Sequence, residues 1–152
     1  AVSSHTFGLV CIEVTPDGDG LKAREAWINR NLKINIATPV WANGSLYCQG
    51  PNKDFVCVDA RTGELRWSHP GFGQGRKDYA SSLLVGGTLL VLSESGTLFL
   101  LAADPAQYRE LGRLQVCGNT WSFPAYVGGK LYVREPSALL CVDLIDGHAA
   151  KD

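Results

Sequence analysis

Residues able to do chemistry are scattered along this chain rather than gathered into a motif. Asp17-Gly-Asp-Gly20 begins like a calcium loop, in which oxygen ligands alternate around a tight turn. Leu21 falls where the third oxygen should stand and no glutamate closes the loop, so a hairpin turn explains these residues better. Gly71-Phe-Gly-Gln-Gly75 has the glycine content of a phosphate cradle. No Gly-Lys-Ser/Thr follows, nor a helix whose first N–H groups could hold an anion, so it is a connector. His5, His69 and His148 stand far apart, none beside a nucleophile or a second metal ligand. Neither a GxSxG nor an HExxH motif occurs, and hydrolysis has no residues to carry it.

Five cysteines are present, with no CxxC pair to suggest zinc. Cys11, Cys57 and Cys141 sit at one position of three similar segments, Leu9–Glu13, Phe55–Asp59 and Leu139–Asp143. A small apolar residue between packed sheets does this, and positions so spaced lie too far apart for a disulfide. Lys+Arg number 14 and Asp+Glu 15, without a basic run, which argues against a nucleic-acid surface. No window approaches 18 uninterrupted apolar residues, so no membrane-spanning helix is expected.

The elements that must position any site repeat every 42 to 43 residues, as Gly44, Gly87 and Gly129 mark. Asn43-Gly44, Gly86-Gly87 and Gly128-Gly129 supply the two positive φ angles of a tight hairpin, flanked by β-branched and aromatic residues. A third apolar run follows about ten residues later, and in the second copy Glu64 to His69 resumes after Gly63 as a fourth strand. With 17 glycines and 7 prolines in 152 residues, the chain is all-β. Four-stranded antiparallel units of this length are β-propeller blades. Ala1–Thr6 reads as a polar loop, giving thirteen strands, about three and a quarter blades. One partial propeller domain is expected: residues 1–34 end a blade, 35–77 and 78–119 are full blades, and 120–152 form an incomplete last blade.

Propellers typically close with four to eight blades, so this arc should not close alone. With no methionine in the chain, a C-terminal piece of a larger propeller is expected. Its open blade edges should meet missing blades or self-associate.

Cys57-Val-Asp-Ala-Arg-Thr-Gly-Glu-Leu-Arg-Trp67 resembles the tryptophan-docking motif of the quinoprotein, or PQQ-like, propeller repeats. Asp59, Thr62, Gly63 and Trp67 match, Cys57 replaces the usual alanine, and Trp27 ends the preceding blade in the same way. The resemblance extends over most of the chain and implies structural blade docking by these five residues: Asp59 holds a turn, Gly63 supplies a left-handed conformation, and each tryptophan packs on the next blade. The third blade lacks Thr-Gly and has leucine near the tryptophan position, and Lys151 stands at that position in the last.

Two functions follow from the resemblance. One is a non-catalytic scaffold that binds a protein or peptide, as in the outer-membrane assembly lipoprotein propeller, with no cofactor. The alternative is a fragment of a PQQ-dependent alcohol or sugar dehydrogenase, which would need PQQ and calcium. Adjacent cysteines are missing, as is an evident Glu, Asn and Asp set on the inner strands, so the scaffold is favoured. The resemblance also implies an extracytoplasmic setting, periplasmic or secreted. The candidate binding face comprises the loops joining second to third strands (Gln49–Asp54, Glu94–Gly96, Glu135–Ser137) and the blade connectors (Pro70–Asp78, Cys117–Thr120), with Arg76, Lys77 and Asp78 at one blade entrance and Asn119 and Trp121 near the channel mouth. Trp121 and Trp41 are expected to pack in the core.

Overall fold

The computed structural model describes residues 1–34, 37–72 and 79–145. Arg76, Lys77 and Asp78 lie outside them, as does the tail containing Lys151.

The described residues form fourteen strands in four antiparallel sheets and no helix. The first sheet holds β1 (Val2–Ser4), β2 (Gly8–Asp17) and β3 (Gly20–Asn29). The second holds β4 (Val40–Ala42), β5 (Ser45–Gln49), β6 (Asp54–Asp59) and β7 (Leu65–Pro70). The third holds β8 (Ala80–Val85), β9 (Thr88–Ser93), β10 (Thr97–Ala102) and β11 (Glu110–Gln115), and the fourth β12 (Ala125–Val127), β13 (Lys130–Arg134) and β14 (Leu139–Asp143). Each sheet is a meander, as a propeller blade requires. The hairpin pairs have φ of 50° and 74° at Asn43-Gly44, 54° and 83° at Gly86-Gly87, and 55° and 84° at Gly128-Gly129, the geometry of tight two-residue turns.

β1 corrects the expected strand count. Val2–Ser4 is too short and polar to show a period, yet it pairs with β2 from Val2↔Val10 to Ser4↔Gly8. Asp17 to Gly20 closes the β2–β3 hairpin, whose pairing runs from Leu9↔Asn29 to Asp17↔Gly20.

Alternate residues of one strand serve opposite cores. Leu46, Cys48, Val56 and Val58 of the second sheet join Leu9 of the first, while Tyr47, Phe55 and Cys57 meet Leu89, Val91, Phe99 and Leu101 of the third. Leu90, Leu92 and Leu98 turn the other way, onto Leu131 and Val133 of the fourth. At about 25 cal/mol per Å² of apolar surface, these three joints are the main stabilising contribution. At the ends of the arc, Val2, Ile12 and Val14 of the first sheet and Val127 and Leu139 of the fourth remain exposed.

Three side chains expected in the core prove otherwise. Trp41 is 63% exposed, and its register equivalents Leu84 and Tyr126 are also open, at 39% and 36%. All three sit on innermost strands, where side chains reach past the packed layer; beside Trp41, the first sheet has no described strand inside β1. Trp121 is 49% exposed on the loop before β12. Cys141 is exposed whereas Cys57, at the same register position, is buried, because Cys57 faces the third sheet and Cys141 the uncovered side of the fourth. All five cysteines are free.

Burial pushes the thiol pKa of Cys48 and Cys57 upward, so both are shielded and protonated at neutral pH. Under native conditions an aromatic disulfide reagent should titrate Cys141 first and reach Cys48 and Cys57 only in denaturant. Equal labelling rates at Cys48 and Cys141 would contradict this packing.

Candidate functional site

The residues of the docking motif come together at the joints between sheets. Asp59 Oδ1 accepts N–H bonds from Arg61 (2.8 Å) and Thr62 (3.0 Å), and Oδ2 accepts Arg66 Nη2 at 2.6 Å. Gly63 has φ 77°, donates its N–H to Asp59 O and lies beneath the Trp27 ring, with which any Cβ there would collide. Trp27 Nε1 donates to Ala60 O at 3.1 Å, and Asn29 Nδ2 to Gly63 O at 2.7 Å. Trp67 repeats the contact one joint later, donating to Asp104 O at 3.0 Å. Tyr47 and Tyr108 each lie with their rings 6.0 Å from that of Trp67.

One extra outer-strand residue aims both tryptophans. The β2–β3 ladder shifts register between Cys11 and Ile12, and the β6–β7 ladder between Cys57 and Val58, leaving Trp27 opposite Cys11 and Trp67 opposite Cys57. In the third sheet the shift falls between Leu100 and Leu101, so Gly112, opposite Leu100, occupies the tryptophan position beside Leu111.

The candidate binding face collects the loops between second and third strands and the connectors between sheets. There the 116–124 connector, the β9–β10 loop and the β13–β14 loop enclose a groove of about 650 Å³, lined by Glu94, Asn119, Trp121 and Glu135. Thr120, 5% exposed, staples its walls: its N–H donates to Glu94 O (2.9 Å) and its Oγ1 to Arg134 O (2.6 Å). Gly118 N donates to Glu135 Oε2 at 2.9 Å, and Glu94 N to Tyr79 O at 2.7 Å. Asn119 and Trp121 thus share one groove. Glu94, Thr120 and Glu135 lie in loops that the sequence places on this face, but their individual roles carry no spacing signal.

Among the described residues no three His, Cys, Asp or Glu side chains are grouped to hold a metal ion. No described helix is long and apolar enough to cross a membrane.

The carboxyl pKa of Asp59 is lowered, first by the Arg61 and Thr62 amides and then by Arg66. A depressed carboxylate contributes stability above its unfolded pKa and loses it as pH falls through the folded value. Urea midpoints should accordingly fall below about pH 4, with a shallower fall in Asp59→Asn; parallel profiles would rule out this contribution. Trp67→Ala, which removes the ring and the bond to Asp104, should cost about 3 kcal/mol in urea unfolding, with Trp67→Phe less damaging. A cost equal to that of an exposed substitution would show that the ring does not join the sheets.

No protein-family model matches the chain, and no curated protein matches it. Among solved structures, the chain is similar to BamB from Moraxella catarrhalis, with TM-score 0.65 and 18% identity over 93% of this chain and 48% of that one. It is also similar to the computationally designed Ika8 protein, with TM-score 0.63 and 15% identity over 92% of this chain and 45% of that one. A quinohemoprotein alcohol dehydrogenase from Pseudomonas putida HK5 aligns at TM-score 0.49 and 20% identity, over 71% of this chain and 18% of that one. The chain spans about half the length of the first two. Its fold is an all-β partial propeller, shared with those two structures.

Proposed function

We propose that the chain is part of a larger propeller acting as a non-catalytic interaction scaffold, which holds a protein or peptide on its connector face. Blade boundaries at 1–34, 35–77, 78–119 and 120–152 belong to this reading, as does an extracytoplasmic setting. The observation that carries it is the groove at Trp121. A large aromatic side chain, half in solvent, stands over walls fixed by Thr120 to both the third and fourth sheets. A rigid scaffold presenting an aromatic anchor on a loop suits recognition, since little ordering remains to oppose binding. The apolar end faces suit further blades, with self-association when those blades are missing.

Peptides selected for binding from a random display library test this reading. They should compete for one site and lose about tenfold or more in affinity to Trp121→Ala. Substituting Lys130, on the opposite face of the arc, should leave their affinity unchanged. Selected peptides indifferent to Trp121→Ala would refute the connector face as the recognition surface.

A further inference from the structure

The first sheet carries a projecting arm that no other described sheet has. Its strands β2 and β3 are ten residues each, against six for β6 and β7. Past the register shift at Cys11/Ile12 the ladder continues from Glu13↔Arg24 to Asp17↔Gly20, so the arm extends the sheet by about 16 Å at roughly 3.3 Å per residue. Directly opposed residues share a face. Ile12, Val14, Pro16, Leu21 and Ala23 therefore stand on one side, and Glu13, Thr15, Asp17, Lys22 and Arg24 on the other, where Arg24 bonds Glu13. The apolar side is exposed. A bare two-stranded hairpin is marginally stable in water, and an apolar side of this kind gains stability when it is covered.

Register identifies the cover. The apolar side of the arm continues the outer face of the first sheet, where Val2, Val10 and Ile28 border a cavity of about 410 Å³. Aligned on the register shifts, Val2, Val10 and Ile12 stand where Val91, Phe99 and Leu101 stand in the third sheet, the residues that receive Tyr47 and Cys57 of the second. The fourth sheet repeats that second-sheet face and leaves it bare. Tyr132↔Cys141 matches Tyr47↔Cys57, and Val127↔Lys130 matches Ala42↔Ser45, with Ala42 buried and Val127 exposed. The two ends of the arc are thus the two halves of one more joint.

On the larger-propeller reading, we propose that the first sheet of one copy, arm included, seats on the fourth sheet of a second copy, and reciprocally. Two arcs of four sheets then close a ring of eight through a head-to-tail contact made twice, at the upper end of the usual propeller range. At the turn end of this joint Val14 and Leu21 of the arm cover Val127 and Ile145, which are exposed in the single chain. Signs also match: Glu25 is the ionisable residue on the apolar side, and the face it meets carries Lys130 and Arg134 against Asp143.

Sedimentation equilibrium of the whole chain over a range of concentrations tests the proposal. The wild-type chain should reach twice the monomer mass and stop there. Val14→Asp combined with Leu21→Asp, at two exposed positions of the arm, should halve that mass with the far-UV spectrum unchanged. Thr15→Asp combined with Lys22→Glu, on the polar side, should leave the mass at two copies. Cys141 gives a second readout, since the joint covers it. It should remain the first thiol to react, but its labelling rate should fall as wild-type concentration rises and stay constant in the Val14→Asp, Leu21→Asp variant. A wild-type monomer at every concentration would overturn the proposal and leave the end faces to other sheets of a longer chain. That result would not touch the connector-face reading, which Trp121-dependent peptide binding decides separately. A dimer indifferent to the arm variant, or a mass that grows past two copies, would also overturn it.

Discussion

A sheet that is apolar on both faces must be covered on both, and the rest of this structure depends on that constraint. Tyr47 and Cys57 of the second sheet point to one neighbour, and Leu46, Cys48 and Val56 to the other. No such sheet can end a soluble stack without leaving a side open. Propeller geometry resolves the problem by arranging the sheets radially, so that each joint is made by two meanders meeting face to face. Within the chain the solution holds for three joints. Beyond the first and fourth sheets the apolar faces continue, with Val2 and Ile12 on one side and Leu139 on the other.

What could be read from the residues, and what could not, follows from the same constraint. Local requirements are written locally: a two-residue hairpin needs positive φ twice, so Asn43-Gly44 and its two counterparts mark the blades without ambiguity. The turn after β6 was equally open to inspection, since Asp59, Thr62 and Gly63 satisfy one another within five residues. Burial is not local. Cys57 and Cys141 each follow an apolar residue, precede Val-Asp and share a register, but one is covered and the other bare. Trp41 and Trp121 misled for a related reason, because an indole in an apolar stretch reads as core while its place near the axis or on a connector depends on the curvature of the whole arc. β1 escaped notice because three residues cannot establish a period of two.

The groove was hardest to foresee. Its walls come from three segments that meet only because adjacent sheets bring their loops to one face, and the contacts holding them involve backbone groups. Thr120 is a polar residue in a polar loop until its hydroxyl is seen on Arg134 O and its N–H on Glu94 O. Topology alone placed the connector and the loops at Glu94–Gly96 and Glu135–Ser137 on one face, but not the bonds that join them into a groove.

The position of the groove also fits the mechanics of the joints. The first and second joints are each closed at the turn end by a tryptophan whose N–H reaches a carbonyl of the next sheet. The third joint has Gly112 in that place and relies on aliphatic packing around Leu90, Leu98 and Leu131. Packing of this kind is non-directional and does not fix the relative slide of two sheets as a hydrogen-bonded ring does. The directional bonds at this joint lie instead at the connector end, through Thr120 and through Gly118 with Glu135. The joint without a docking tryptophan is therefore held by the loops that also shape the groove. Anything bound there would touch both sheets at the one joint, among the described residues, whose turn end has no docking tryptophan.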